Sequence, residues 1–133
     1  MLTIIYYLGI AALFTHEMDA VMRSEWELLF YLKNLNEAVA YPIFLILHFP
    51  LFFIFLWLSH HGNDRIRTLF RYCVSVFLMI HLGLHLLLSD DPNNAFHGLI
   101  ANLFIYLAAG CGLVYLLVAL RRTRGAWKTQ HRP

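Results

Sequence analysis

Residues 38–58 read AVAYPIFLILHFPLFFIFLWL, 21 consecutive positions without a Lys, Arg, Asp or Glu. As a helix this stretch would rise about 32 Å, matching a bilayer hydrocarbon core about 30 Å thick. A segment of that length, apolar on every face, predicts a membrane-spanning helix. Pro42 near its start suits a first helical turn. Pro50, further in, removes the hydrogen bond that the carbonyl of Ile46 would accept, which predicts a kink beside His48.

Three further apolar segments flank it, at 2–14, 72–88 and 98–120. The first reaches spanning length, about 20 residues, only if it continues through Thr15, His16, Glu17, Met18 and Asp19 to about Met22, so it carries ionisable residues inside it. A signal peptide is disfavoured there, because no Lys or Arg precedes the apolar run and no small-x-small site follows it. Composition agrees: 60% of the 133 residues are hydrophobic and 14% charged, too apolar for an ordinary soluble domain. A soluble enzyme, a disulfide scaffold and a nucleic-acid binder are thereby disfavoured. The expected fold is all-α, a bundle of four transmembrane helices. Residues 1–122 form a single membrane domain and 123–133 a basic tail. Trp26, Leu29, Phe30 and Lys33 recur at helical spacing between Ser24 and Leu35, which predicts a short amphipathic interfacial helix capped by Ser24.

Lys and Arg in short loops set orientation. Arg65, Arg67 and Arg71 lie between the second and third segments, and Arg121, Arg122, Arg124, Lys128 and Arg132 follow the fourth. Both regions are expected in the cytoplasm, along with both termini. The connection 89–94, with Asp90 and Asp91, and the stretch after the first span, which mixes Arg23 and Lys33 with Glu25, Glu27 and Glu37, belong outside.

On this arrangement His16, Asp19, His48, His81, His85 and His97 fall in one layer of the outer half, whereas His60, His61 and His131 lie on the cytoplasmic side. His81 and His85 in His-Leu-Gly-Leu-His are i and i+4, so both imidazoles share a helix face, with Gly83 leaving room for a neighbouring helix. His16 and Asp19 are also co-facial; Glu17 points about 100° away from His16. Imidazole and carboxylate are ligands for zinc, iron or manganese. The candidate metal ligands are therefore His16, His48, His81, His85 and His97. Asp19, and after it Glu17, are the candidate acid or base. The competing reading of Asp19 is an i, i+4 ion pair with Arg23, and Cys73 and Cys111 read as free core thiols.

The segments Phe14-Thr15-His16-Glu17-Met18-Asp19-Ala20, Glu25-Trp26 and Leu47-His48-Phe49-Pro50-Leu51 resemble a family of small bacterial four-helix integral membrane proteins of unknown function. The chain is more distantly similar to membrane proteins named for an HXXEE motif, although Asp19-Ala20 stands where the paired glutamates would be. The resemblance implies a bacterial inner-membrane setting and no mechanism. Three functions are then in contention. A metal-dependent hydrolase on a lipid-like substrate stands first, followed by a bis-histidine haem protein passing electrons, and by a non-enzymatic protein whose polar layer fixes packing or senses pH. A desaturase-type di-iron site is disfavoured because His60 and His61 lie on the side opposite His81 and His85.

Overall fold

The computed structural model describes residues 1–29, 31–89 and 99–130. It holds four helices, α1 (Leu2–Met22), α2 (Glu37–Ser59), α3 (Asp64–Leu87) and α4 (Leu99–Gln130), running up and down, with a single 3-10 helix turn at Glu25–Leu28. Among the described residues, α2, α3 and the Asn102–Arg122 part of α4 are long and apolar enough to cross a membrane. At 21 residues α1 is about 32 Å long, but His16, Glu17 and Asp19 interrupt its apolar run.

Local chemistry explains the ends. Asn36 caps α2 by accepting from the Ala38 N–H, and Asn63 caps α3 by accepting from the N–H groups of Arg65 and Ile66. That second cap starts α3 eight residues before its apolar segment begins at Tyr72, so Arg65, Arg67 and Arg71 are helical rather than loop residues. The helix α2 passes through Pro42 and Pro50 without a break.

The expected amphipathic helix over 24–35 is replaced by the short turn. Ser24 adopts the left-handed conformation (φ 58°, ψ 39°) and makes no side-chain cap. Reversing direction at that residue, at a cost of about 1–2 kcal/mol for a residue bearing a Cβ, aims Glu25 and Trp26 back at the bundle. Trp26 and Leu32 are buried with Ala20, Ala40 and Phe44, whereas Leu29 is exposed. Phe30 lies outside the described residues.

Packing is tightest where side chains are smallest. The helix α4 lies against both α1 and α3. A Cβ on Gly9 would sit 3.0 Å from the Cys111 Cβ, and one on Gly112 would sit 2.7 Å from the Ser75 carbonyl oxygen. Ala108 and Ala109 are buried in the same seam. Gly83 plays no such part: a Cβ there would meet nothing within 4 Å, so it does not make room for a neighbouring helix as the sequence suggested. The helix α2 is held instead by large rings, Phe55 against Phe70 and Phe77, and Phe52 against Phe14. Most of its remaining apolar side chains, such as Ile46, Phe49 and Phe53, point outward.

Polar side chains occupy two layers inside this apolar exterior. The first lies at the start of α1 and the end of α2. There the Tyr6 hydroxyl is 2.7 Å from Ser59 Oγ, Arg71 donates to the Ser59 carbonyl at 2.9 Å and to the Tyr7 hydroxyl at 3.2 Å, and Tyr7 meets His60 Nε2 at 2.9 Å. The guanidinium also lies 5.2 Å from the Tyr6 ring centre. Ten residues further along α1, about 15 Å away, is the second layer.

Candidate metal centre

Consecutive residues of α1 begin the second layer, and both are buried: His16 is 1% exposed and Glu17 7%. They diverge toward different helices. His16 faces α3, where its Nε2 lies 3.2 Å from His85 Nε2. One turn earlier on α3, His81 stands 4.8 Å from His85 between ring centres. One donor atom from each of His16, His81 and His85 lies within 4.8 Å of the other two, a spacing compatible with a shared ion.

Glu17 joins this triad to α2. Its Oε2 is 3.1 Å from His48 Nε2 and its Oε1 is 3.4 Å from His81 Nε2. His48 Nδ1 donates to the Phe44 carbonyl at 2.7 Å, so a neutral His48 presents only a lone pair at Nε2. That lone pair faces a carboxylate oxygen, a contact that is repulsive unless a cation lies between them. Glu25, delivered by the turn after Ser24, brings Oε1 to 3.1 Å from His85 Nε2, and its buried Oε2 makes no hydrogen bond. His81 Nε2 is likewise buried without one.

These separations have a chemical meaning. Two ligands of one tetrahedral ion with bonds near 2.05 Å stand about 3.3 Å apart. The His16–His85 contact, at 3.2 Å, has that length, while the three imidazole–carboxylate contacts, at 3.1 to 3.4 Å, have the length of ion pairs. Three converging imidazoles of this kind could hold a metal ion.

The other candidates lie elsewhere. Asp19 turns away and pairs with Arg23 at 2.6 Å, so the geometric order of the two acids is the reverse of that expected: Glu17 is in the cluster and Asp19 is not. The reason is that both faces of α1 are covered at this depth, by α3 on the His16 side and by α2 on the Glu17 side. His48 reaches the cluster through Glu17. His60 and His61 are at the opposite end, and His97, with Asp90 and Asp91, lies outside the described residues. Glu25 was not anticipated as a site residue. Its sequence signal is its place in the Glu25-Trp26 segment that carries the resemblance, and the buried Trp26 anchors the turn.

A pocket of about 100 Å³ opens beside the cluster, lined by Glu25, His81 and His85 at one end and by Leu28, Leu29, Leu84 and Leu88. Residues 2–122 match the family model described as Family of unknown function (DUF6713). The chain belongs to that family. No curated protein and no solved structure matches it. Family membership names no activity, so the chemistry rests on the residues themselves.

Proposed function

We propose that the chain is a four-span membrane protein whose histidine and glutamate layer binds a divalent transition metal, zinc first, with iron or manganese as alternatives, and that it hydrolyses a lipid-like amphiphile. The observation carrying this is the convergence of His16, His81 and His85 donor atoms with Glu17 and Glu25 against them. Four spans are supported by α1 lying against α4, which is itself apolar enough to cross, and by polar groups inside with apolar side chains outside. The setting is the inner membrane of a bacterium. Both termini are cytoplasmic, which puts the centre in the outer leaflet and follows from the Lys and Arg distribution.

In this reading His16, His81 and His85 would hold the ion, which would supply Lewis acidity. Glu17, buried and tied to both His48 and His81, accepts a proton and passes it on to the leaving group. Glu25 orients His85. The substrate's apolar chain lies along Leu28, Leu29, Leu84 and Leu88, with its polar end toward His81 and His85. An ion is favoured over a bis-histidine haem because the Nε2 atoms of His16 and His85 are 3.2 Å apart, leaving no gap for a macrocycle between them.

Elemental and optical analysis of the detergent-purified protein tests the reading. Stoichiometric zinc, iron or manganese without a Soret band is expected; a Soret band, or no metal, overturns it. For orientation, single cysteines at Ser89 and Lys33 should label from the periplasmic side and one at Asn63 only from the cytoplasmic side, and labelling of Asn63 from outside would invert the assignment.

A further inference from the structure

Separately from the metal reading, we infer that the end of the α3–α4 seam carrying Arg65 and Arg122 docks an anionic phospholipid. Its phosphate lies between the two guanidinium groups, and an acyl chain runs along Leu69 and Tyr72 toward the middle of the bilayer.

Two contacts fix the register of this antiparallel helix pair. A Cβ on Gly112 would sit 2.7 Å from the Ser75 carbonyl oxygen, and three residues on along each helix, in opposite directions, the rings of Tyr72 and Tyr115 stand 6.0 Å apart. Seven residues further, about 10 Å nearer the helix ends, the same register sets Arg65 opposite Arg122. Seven residues return a helix to within about 20° of the same face, so each arginine is in line with the tyrosine of its own helix, on the side of the seam.

Both arginines are exposed, and the exposed Arg121 adds a third positive charge. Among the described residues the acid at this end is Asp64, which is paired with Arg67, and the sequence holds no Asp or Glu after Asp91. Like charges facing across a seam repel, and an anion between them replaces that repulsion by attraction on both sides. The planar fork of arginine matches the oxygens of a phosphate.

A groove of about 440 Å³ beside Arg65 says which kind of anion fits. It is lined by Asp64, Arg65, Thr68, Leu69 and Tyr72. From Arg65 these last four are i, i+3, i+4 and i+7, one face of α3. They pass from a guanidinium through a hydroxyl to apolar side chains in the direction of the hydrocarbon, and Leu69 is exposed. A phospholipid has the same order of polarity, from phosphate through glycerol ester to chain. A soluble phosphate would use the charged end alone, and a choline phospholipid would bring a cation of its own to the arginines.

Lipid retention tests the site. The detergent-solubilised full chain is titrated with phosphatidylglycerol or phosphatidylcholine of the same acyl chains, and retained lipid is counted by native mass spectrometry. One phosphatidylglycerol per chain is expected, with a preference of at least about 10-fold. Arg65→Gln and Arg122→Gln should each cut that preference about 5-fold, the effect of one basic group beside an anionic head. Arg65→Lys keeps the charge and should retain most of the preference, and Lys33→Gln, at the opposite end of the bundle, should retain all of it. Equal retention of the two lipids would overturn the site. So would a preference that survives Arg65→Gln and Arg122→Gln together, which would belong to the charges of the tail. Displacement of the lipid by millimolar glycerophosphate would overturn the lipid as occupant, since the chain would then contribute nothing.

Discussion

His48 and His60 sit twelve residues apart in sequence, at the middle and the end of α2, and each donates its Nδ1 hydrogen to the carbonyl four residues earlier, at 2.7 and 2.9 Å. When neutral, both therefore present Nε2 as an acceptor. At His60 that nitrogen meets the Tyr7 hydroxyl, a donor, which in turn accepts from Arg71. At His48 it meets a carboxylate. The first layer closes on itself, since its hydroxyls and guanidinium supply hydrogens to every acceptor named, and it welds α1, α2 and α3 together. With His48 neutral, the second sets acceptor against acceptor in a buried place, where an unsatisfied group costs about 1–3 kcal/mol. Two polar layers in one bundle thus differ in kind: one is closed by hydroxyl and guanidinium hydrogen bonds, and the other sets imidazoles against carboxylates, which attract only through a proton or a metal ion.

The strongest way to break that comparison is to remove ligands from each layer in turn. His81→Ala or His85→Ala should lower metal affinity by more than about 100-fold, beyond the usual effect of an outer-shell change, whereas His60→Ala and His61→Ala should leave metal content unchanged. Equal metal content in all four proteins would erase the distinction between the layers. Next in size is Glu17→Gln, which gives His48 the donor that Tyr7 gives His60. Metal affinity should fall at least 10-fold, while the metal-free protein should gain about 1 kcal/mol in stability, because an amide N–H now answers the lone pair. A metal-free Glu17→Gln variant less stable than its parent would mean that the lone pairs were not in conflict.

Smaller effects probe the frame that holds the layers apart. Gly112→Ala drives a methyl against the Ser75 carbonyl and should cost about 1–3 kcal/mol in detergent unfolding, whereas Gly83→Ala meets open space and should gain up to about 1 kcal/mol of helix propensity. Equal midpoints for the two variants would contradict the tight α3–α4 seam. Tyr6→Phe strips the buried donor or acceptor from Ser59 and should cost about 1 kcal/mol with metal content intact. Last come Asp19→Asn and Arg23→Gln, which undo a partly exposed i, i+4 pair and should each cost less than about 0.5 kcal/mol without touching metal binding. Loss of metal in Asp19→Asn would bring that acid back to the centre.

Much of the fold is legible in the sequence. Four helices appear where four apolar segments stand, and the continuation of the first segment through His16 to Met22 is the extent of α1. Where the reading missed, capping or turn geometry decided. Asn63 draws the polar stretch 64–71 into α3, which turns Arg71 from a loop charge into a cross-link to Tyr7 and Ser59. Ser24 in its left-handed conformation ends helical spacing where an amphipathic helix was expected.

By itself the sequence determined where the four apolar helices lie, the order of the ionisable residues along each, and that His81 and His85 share a face. Those are properties of one helix, set by its rise per residue and its periodicity. Only the tertiary structure decided that Glu17 rather than Asp19 joins the histidines, that Glu25 returns to His85, and that Nε2 of His48 faces an oxygen instead of a hydroxyl. These depend on the rotation of each helix about its own axis and on the path of a non-helical turn. Both are settled by packing among Gly9, Gly112, Ala108 and the aromatic rings, contacts between segments far apart in the chain that no local period encodes.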